Sequence, residues 1–528
     1  MKPLSKVMVI GSGPIVIGQA AEFDYSGTQS LMALREEGLQ VVLLNSNPAS
    51  VMTDPELADR TYVEPVTAEF AALILEREKC DALLPTMGGQ TALNVAKELA
   101  ESGVLERLGV RLLGSPLSAI RTAEDRALFK QAMIDANLPV PRSFVVSTEA
   151  QARTVLAELG LPVVLRPSYT LGGTGGGIAR THEEYERIIK EGLLASPNST
   201  VLVEESVLGW KEFELEVLRD QAKNSIVVCS IENIDPMGVH TGDSVTVAPA
   251  QTLTDKEYQR LRGAAFAVLE AVGIEGGGAN VQFAVNPRDG RYVVVEMNPR
   301  VSRSSALASK ATGYPIAKVA TKLALGYELP QLKNAITKHT TAAFEPSIDY
   351  VVVKAPRFDF EKFPEAPREL GTQMRSVGEA MAMGRTLREA YQKALRSLER
   401  RGSVLVSALG WRGETSALLA AMQRPTPERT FQVYAALGAG IDVAQIAAAS
   451  GIDPYFLRHF AEIVRLAKQV QNTPLSAIPA ALWFECKESG LGDAEIAELT
   501  SVSEAEVRAA REGHGVVPKF HAVDTCAG

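Results

Sequence analysis

Apolar positions come in three successive rhythms along this chain. In the first 120 residues, short apolar runs at 7–10, 40–45 and 82–84 are separated by stretches that suit helices. Runs of that length, divided by helical segments, predict a parallel sheet with right-handed crossovers. From about Arg121 to Arg400 the runs crowd together, and 163–166, 201–205, 212–218, 225–232, 281–285 and 292–296 all read as strands. The last two flank Asn286-Pro287-Arg288-Asp289-Gly290, a composition that reverses the chain. This block predicts antiparallel sheet with helices. Beyond about residue 400, Ala and Leu dominate, and helical periodicity takes over at 455–470 and 493–512. Asp453-Pro454 suits a helix start, with the Asp as cap and the Pro in the first position. The expected architecture is α/β, then α+β, then an all-α helical unit, divided at 1–120, 121–400 and 401–528.

Composition changes this picture little. A chain of 528 residues is long enough for about three or four domains. The net charge of −9 offers no general attraction to nucleic acid or an anionic membrane, so neither is an expected partner. A site for an anionic nucleotide must therefore gather its cations locally. The four cysteines, Cys80, Cys229, Cys486 and Cys526, lie far apart with no CxxC spacing, which suits free thiols in a reducing compartment. No apolar run is long enough to span a bilayer and residues 1–14 lack a signal peptide's apolar stretch, so a cytoplasmic location is expected.

Three segments carry candidate chemistry. Gly11-Ser12-Gly13-Pro14 follows the first apolar run, as a dinucleotide fingerprint would, but its third glycine position is Val16. The next run ends in Asn45-Ser46-Asn47 without the acidic residue that would hold a ribose, so a tightly packed loop in a Rossmann-like domain is the better reading. Residues 172–177 hold five glycines in six positions, between two strand-like runs. So costly a loop gains by laying its N–H groups against phosphate, with Arg166 as a nearby cation; a plain linker would not be flanked by strands. The third segment is Val293-Val294-Val295-Glu296-Met297-Asn298-Pro299-Arg300. Extended geometry puts Glu296, Asn298 and Arg300 on one face, and the turn near Arg288 brings Gln282 opposite Glu296 to within a residue of register. Glu296 and Asn298 offer hard oxygens suited to Mg²⁺ or Mn²⁺ on nucleotide phosphates, and Arg300 can stabilise a transferring phosphoryl group. A structural ion-pair cluster is the alternative, weakened by the glycine loop nearby. His240 has no second histidine at ligand spacing, so zinc is not expected, and no nucleophile motif for amide hydrolysis is present.

The runs GSGPIVIGQAAEFDYSG, NSNPASVMTDPE, LPTMGGQTALN, RPSYTLGGTGGGIA, GWKEFELEV, MGVHTGDSVTVAPAQTLTD and VEMNPRVSRSSALASKATG together resemble the carbamoyl phosphate synthetase large-subunit family, in its amino-terminal ATP-grasp half. They fall within roughly residues 6–390, and the helical block resembles the family's oligomerisation domain more loosely. The resemblance implies a Rossmann-like pre-ATP-grasp domain, an ATP-grasp domain and a helical oligomerisation-like domain. It implies nucleotide binding by Arg126, Arg166, Gly172, Gly173, Glu205, Val207, Glu212, Gly238, Val239, His240, Gln282 and Glu296. Metal binding would fall to Gln282, Glu296 and Asn298, with catalysis by Glu296, Asn298 and Arg300. The implied reaction phosphorylates bicarbonate with ATP to carboxyphosphate, which ammonia converts to carbamate, in the service of pyrimidine and arginine biosynthesis. Implied partners are a glutaminase small subunit and a second ATP-grasp chain, or a homodimer mate. Another ATP-grasp carboxylate–amine ligase, or a biotin-dependent carboxylase, is the competing reading.

Overall fold

The computed structural model describes residues 3–14, 21–167, 177–196 and 199–522. Strands β1 (Lys6–Ile10), β2 (Gln40–Leu44), β3 (Arg60–Tyr62), β4 (Ala82–Leu84) and β5 (Arg111–Leu112) form a parallel sheet in the order β3-β2-β1-β4-β5. Both faces are covered, which explains why these runs read as continuously apolar. Met8, Ile10, Val42 and Leu83 pack with residues of helices Ala68–Glu78 and Gly89–Glu101. Val7, Val9, Val41 and Leu43 share the opposite core with Leu31 and Leu34, and with Ile316, Ala320 and Leu323 from the next part of the chain. The expected glycine turn follows β1, and Asn45 fills it. The Asn45 Oδ1 accepts from the Gly13 N–H at 3.0 Å, and a Cβ on Gly11 would lie 2.7 Å from the Asn45 Cγ.

A small antiparallel sheet follows, ordered β6-β9-β7-β8 from Ser143–Val146 (β6), Val163–Pro167 (β7), Gly177–Ala179 (β8) and Val201–Glu205 (β9). The large antiparallel sheet is ordered β14-β13-β10-β11-β12-β15-β16. Its strands are Lys211–Arg219 (β10), Ser225–Asn233 (β11), Thr246–Ala248 (β12), Gly277–Val285 (β13), Tyr292–Asn298 (β14), Val351–Arg357 (β15) and Gly378–Gly384 (β16). Phe213, Leu215 and Val217 on β10 face the core built around Leu261, Ala265, Val268 and Leu269 of helix Asp255–Val272.

The rest is helical. Its core joins Tyr434, Phe460 and Trp483 to Leu387, Ala390 and Tyr391, and reaches Val353 and Ala355 on β15. Helix Pro454–Gln471 starts as expected, with the Asp453 carboxylate accepting from the Tyr455 N–H. The single helix expected over 493–512 is instead two, Asp493–Thr500 and Glu504–Gly513. Ser501 stops the first in a left-handed conformation (φ 58°), and Ser503 restarts the second as a reciprocal cap with Glu506. Cys80, Cys229 and Cys486 are buried free thiols. Among the described residues, no helix is long and apolar enough to cross a membrane.

Candidate active site

The site is built on the second face of β10. Alternation sends Glu212, Glu214 and Glu216 to the side opposite Phe213, Leu215 and Val217, and all three carboxylates are buried. On the neighbouring strand, Glu214 pairs with Gln282 and Glu216 with Asn280. One strand further, Gln282 pairs with Glu296 and Asn280 with Asn298. Gln282 therefore lies directly opposite Glu296, within the one-residue register that the turn composition allowed. The register shifts at Phe283, so that Val295 is left over on β14. This bulge sends Val294 and Met297 to the apolar core while Glu296 and Asn298 remain on the polar face. Simple alternation would have put Val294 beside Glu296.

The polar face is densely bonded. Asn280 Nδ2 donates to Glu214 Oε2 at 2.9 Å and to Glu216 Oε1 at 2.8 Å. Ser302 and Ser305, at the start of helix Arg303–Thr312, donate to Glu216 at 2.8 and 2.6 Å, and Ser304 donates to Glu214 at 2.7 Å. Even so, burial pushes the Glu216 carboxyl up to about 7. Burial, aided by the charge of Glu214, pushes Glu212 up to about 8. Glu214 keeps a buried Oε1 with no hydrogen-bond partner. Glu296 opens to solvent but is crowded by protein; that crowding and Glu214 raise its carboxyl, against the pull of Arg300 and Arg126. Four carboxyl groups, those of Glu212, Glu214, Glu216 and Glu296, are thus crowded onto one face.

Gln282, Glu296 and Asn298 offer one carboxylate and two side-chain amides. Among the described residues, no group of three His, Cys, Asp or Glu side chains could hold a metal alone. An oxygen set this small suits a Mg²⁺ ion that takes its remaining ligands from phosphates and water. Arg300 stands two residues past Asn298, donates to its Oδ1 at 3.2 Å, and lies over the Phe23 ring at 5.6 Å. The backbone on either side of Arg300 is tied to the first domain. Ser115 Oγ donates to the Pro299 carbonyl at 2.7 Å, and the Val301 N–H donates to the Thr86 carbonyl at 3.2 Å.

Gly238, Val239 and His240 of the expected nucleotide set lie on a loop between β11 and β12. Gly238 adopts φ +118°, and a Cβ there would lie 2.6 Å from Leu208. Val239 is buried beside it. His240 Nδ1 accepts from the Gly242 N–H at 2.9 Å, and burial next to Arg303 lowers the imidazole to about 4. The loop meets the segment holding Val207: Met237 N–H donates to the Trp210 carbonyl, and Gly209 N–H to the Met237 carbonyl. Thr241 Oγ1 reaches Glu212 at 3.2 Å, and Lys354 Nζ donates to the carbonyls of Thr241 and Ser244, each at 2.8 Å. Arg126 heads helix Arg126–Asp135, where its charge acts on Glu296. Glu205 differs: its carboxylate takes both arms of Arg291 at 2.7 and 2.9 Å, and that pairing holds it down to about 2. Any part it takes in binding falls to its backbone unless this pair opens. Arg166 pairs through its backbone with Leu202 on β9; its side chain, Gly172 and Gly173 lie outside the described residues.

Sequence reasoning missed Glu214, Glu216, Asn280, Arg303 and the three serines 302, 304 and 305. The Glu-x-Glu-x-Glu alternation inside an apolar strand was a visible signal for the first two.

The chain and its fold have known relatives. Family profiles described as the carbamoyl phosphate synthase preATP-grasp domain, the large-chain ATP binding domain and the large-chain oligomerisation domain match residues 3–122, 125–332 and 379–515. The carbamoyl phosphate synthase large chain of Myxococcus xanthus is 58% identical over 528 residues, covering 99% of this chain and 49% of the relative. The arginine-specific chloroplastic large chain of Arabidopsis thaliana is 56% identical over 529 residues, covering 99% and 44%. The chain thus spans about half the length of the curated relatives it matches. A biotin carboxylase from Campylobacter jejuni, solved with an ATP analogue, shares the fold at a TM-score of 0.55 and 15% identity, covering 83% of this chain and 95% of the other. On the match of all three domain profiles and more than half of the aligned residues, this chain belongs to the carbamoyl phosphate synthase large-chain family.

Proposed function

We propose that the chain binds MgATP across the polar face of β10, β13 and β14 and phosphorylates bicarbonate. The observation that carries this reading is the convergence of Gln282, Glu296 and Asn298 with Arg300 where β14 leaves the sheet. A bicarbonate oxygen attacks the γ-phosphorus, the bond to the β-bridging oxygen breaks, and ADP leaves with carboxyphosphate formed. Ammonia nitrogen then attacks the carboxyl carbon, expelling phosphate, and loss of a proton gives carbamate. Phosphoryl transfer of this kind needs position and charge neutralisation rather than a protein nucleophile. Bound Mg²⁺, or Mn²⁺ in its place, would supply Lewis acidity at the phosphates, held by Gln282, Glu296 and Asn298. Arg300 would face the transferred group, while 207–212 and 238–240, with Arg126, Arg166, Gly172 and Gly173, would hold the nucleotide. Burial of the carboxylates and neutral His240 gives a low-dielectric site in which labile acyl phosphate is kept from water.

Two phosphorylations are needed to reach carbamoyl phosphate, and the described residues hold one such site. A second ATP-grasp chain would supply the other, and a glutaminase subunit would supply ammonia. The test is ADP release with and without bicarbonate and ammonia, with product trapped by ornithine transcarbamylase. Bicarbonate-dependent ADP formation by the isolated chain is expected, with glutamine ignored and little carbamoyl phosphate until the second chain is added. ADP release indifferent to bicarbonate would overturn the reading. Efficient carbamoyl phosphate formation by the chain alone, dimeric in light scattering, would replace the second chain with a homodimer.

A further inference from the structure

The loop that carries Gly238, Val239 and His240 is closed at its base by a residue from the helical region. Asp235 starts the loop and Ser244 ends it. Ser244 Oγ donates to Asp235 Oδ2 at 3.0 Å and accepts from the Asp235 N–H at 3.2 Å. The other carboxylate oxygen, Oδ1, accepts from Arg429 Nη1 at 2.7 Å, across 194 residues of sequence. Arg429 is itself fixed, donating to the Ser450 carbonyl at 3.3 Å and to the Met422 carbonyl at 3.2 Å. Both side chains of the pair are about nine-tenths buried, at 10% and 11% exposure. A second contact backs the first: Gly451 (φ +73°) lies so close to Pro236 that a Cβ would stand 2.9 Å from its Cγ.

A surface ion pair in such a place would carry little weight. This one is buried, charge-assisted and shared with the loop's own closing bond, so removing either partner leaves an uncompensated charge that must find water. The loop and the helical turn pressed on it are the elements that hold the pair. We propose that Arg429 is a positioning residue for nucleotide binding: the helical region sets the shape of the 235–244 loop, and hence ATP affinity, without touching the nucleotide. The proposal rests on the nucleotide site described above. A simple strut between domains would affect folding alone; a positioning residue affects affinity in protein that remains folded.

The experiment measures MgADP binding to the full chain by calorimetry for wild type, Arg429→Gln, Asp235→Asn and the double variant, with circular dichroism as the check on folding. Each single variant is expected to bind about tenfold more weakly, with the double variant no weaker than the poorer single, as two ends of one interaction require. In ATP turnover the loss should fall on KM more than on kcat, and Arg429→Lys should recover part of it. Folded variants whose MgADP affinity stays within about twofold of wild type, or single effects that multiply in the double variant, would overturn the proposal. If Arg429→Gln does not fold, Asp235→Asn and Ser244→Ala decide by the same measure. The two readings fail separately: wild type that binds MgADP without bicarbonate-dependent turnover defeats the proposed reaction, while unaltered affinity in the variants defeats only the positioning role.

Discussion

One face of β10 buries Phe213, Leu215 and Val217 against helix Asp255–Val272; the other buries Glu212, Glu214 and Glu216 among serines, Asn280 and Thr241. The two faces share one backbone and the same degree of burial, so the difference lies in what each contributes. The apolar face gains from leaving water and asks little of its neighbours beyond shape. The acidic face gains nothing from burial. Two of its carboxyls are pushed up to about 8 and 7, and a third keeps an unsatisfied oxygen. Well-packed apolar residues would be cheaper there. A face that is expensive to bury and held in place by hydrogen bonds from Thr241, Asn280 and three serines is a working face, sustained by the stability of the other.

Several substitutions would break or sharpen that contrast. Leu215→Ala, fully buried on the apolar face, should cost roughly 3 kcal/mol or more of stability, read as a lower urea midpoint. Turnover per folded molecule should be retained, and a variant that loses turnover without losing stability would blur the two faces. Glu296→Gln keeps shape on the polar side but removes a charge where a divalent cation should sit. Bicarbonate-dependent ATP hydrolysis should fall by about two orders of magnitude or more with little change in thermal midpoint; near-normal turnover in folded protein would refute the metal assignment.

Glu205 is the contrasting case of a compensated carboxylate, outside β10. Its group is held at about 2 by Arg291, below the ordinary 4.5, so its contribution is present above the ordinary value and is lost as pH falls from about 4.5 toward 2. With Arg291 partly exposed, we expect roughly 2 kcal/mol lost in that window, and a shallower acid loss in Arg291→Met, measured by unfolding at stepped pH. The smallest effect sharpens the site internally. Arg300→Ala should lower kcat by roughly tenfold while leaving the KM for ATP nearly unchanged, since the proposed contact is with the transferring group. If only KM rises, Arg300 belongs to nucleotide binding.

Much of this arrangement was legible in the chain. The apolar runs marked the strands because both sheet faces are covered, and the turn at 286–290 brought Gln282 within one residue of Glu296, the bulge at Val295 making the pairing direct. Other parts were hidden for identifiable reasons. Alternating Glu and apolar residues ordinarily signal a half-solvated strand, so the burial of Glu214 and Glu216 depends on helix Arg303–Thr312, far along the chain. The bulge at Val295 leaves no mark among three successive valines. The stretch 493–512 kept helical periodicity across a break made by one left-handed serine. The pair between Asp235 and Arg429 joins residues too distant for any local pattern to connect.

The bonds from Ser115 to Pro299 and from Thr86 to Val301, with Phe23 under Arg300, bear on how such proteins can be recombined. The segment that carries Arg300 is shaped by two domains, so neither is a free-standing cassette. A chimera exchanging residues 125–332 between relatives while keeping the host's first domain would inherit Gln282, Glu296 and Asn298 but rebuild the seat of Arg300 from mismatched halves. Lineages that trade specificity by shuffling should therefore trade the two together, and grafts that move 3–332 as one block should outperform grafts of either part.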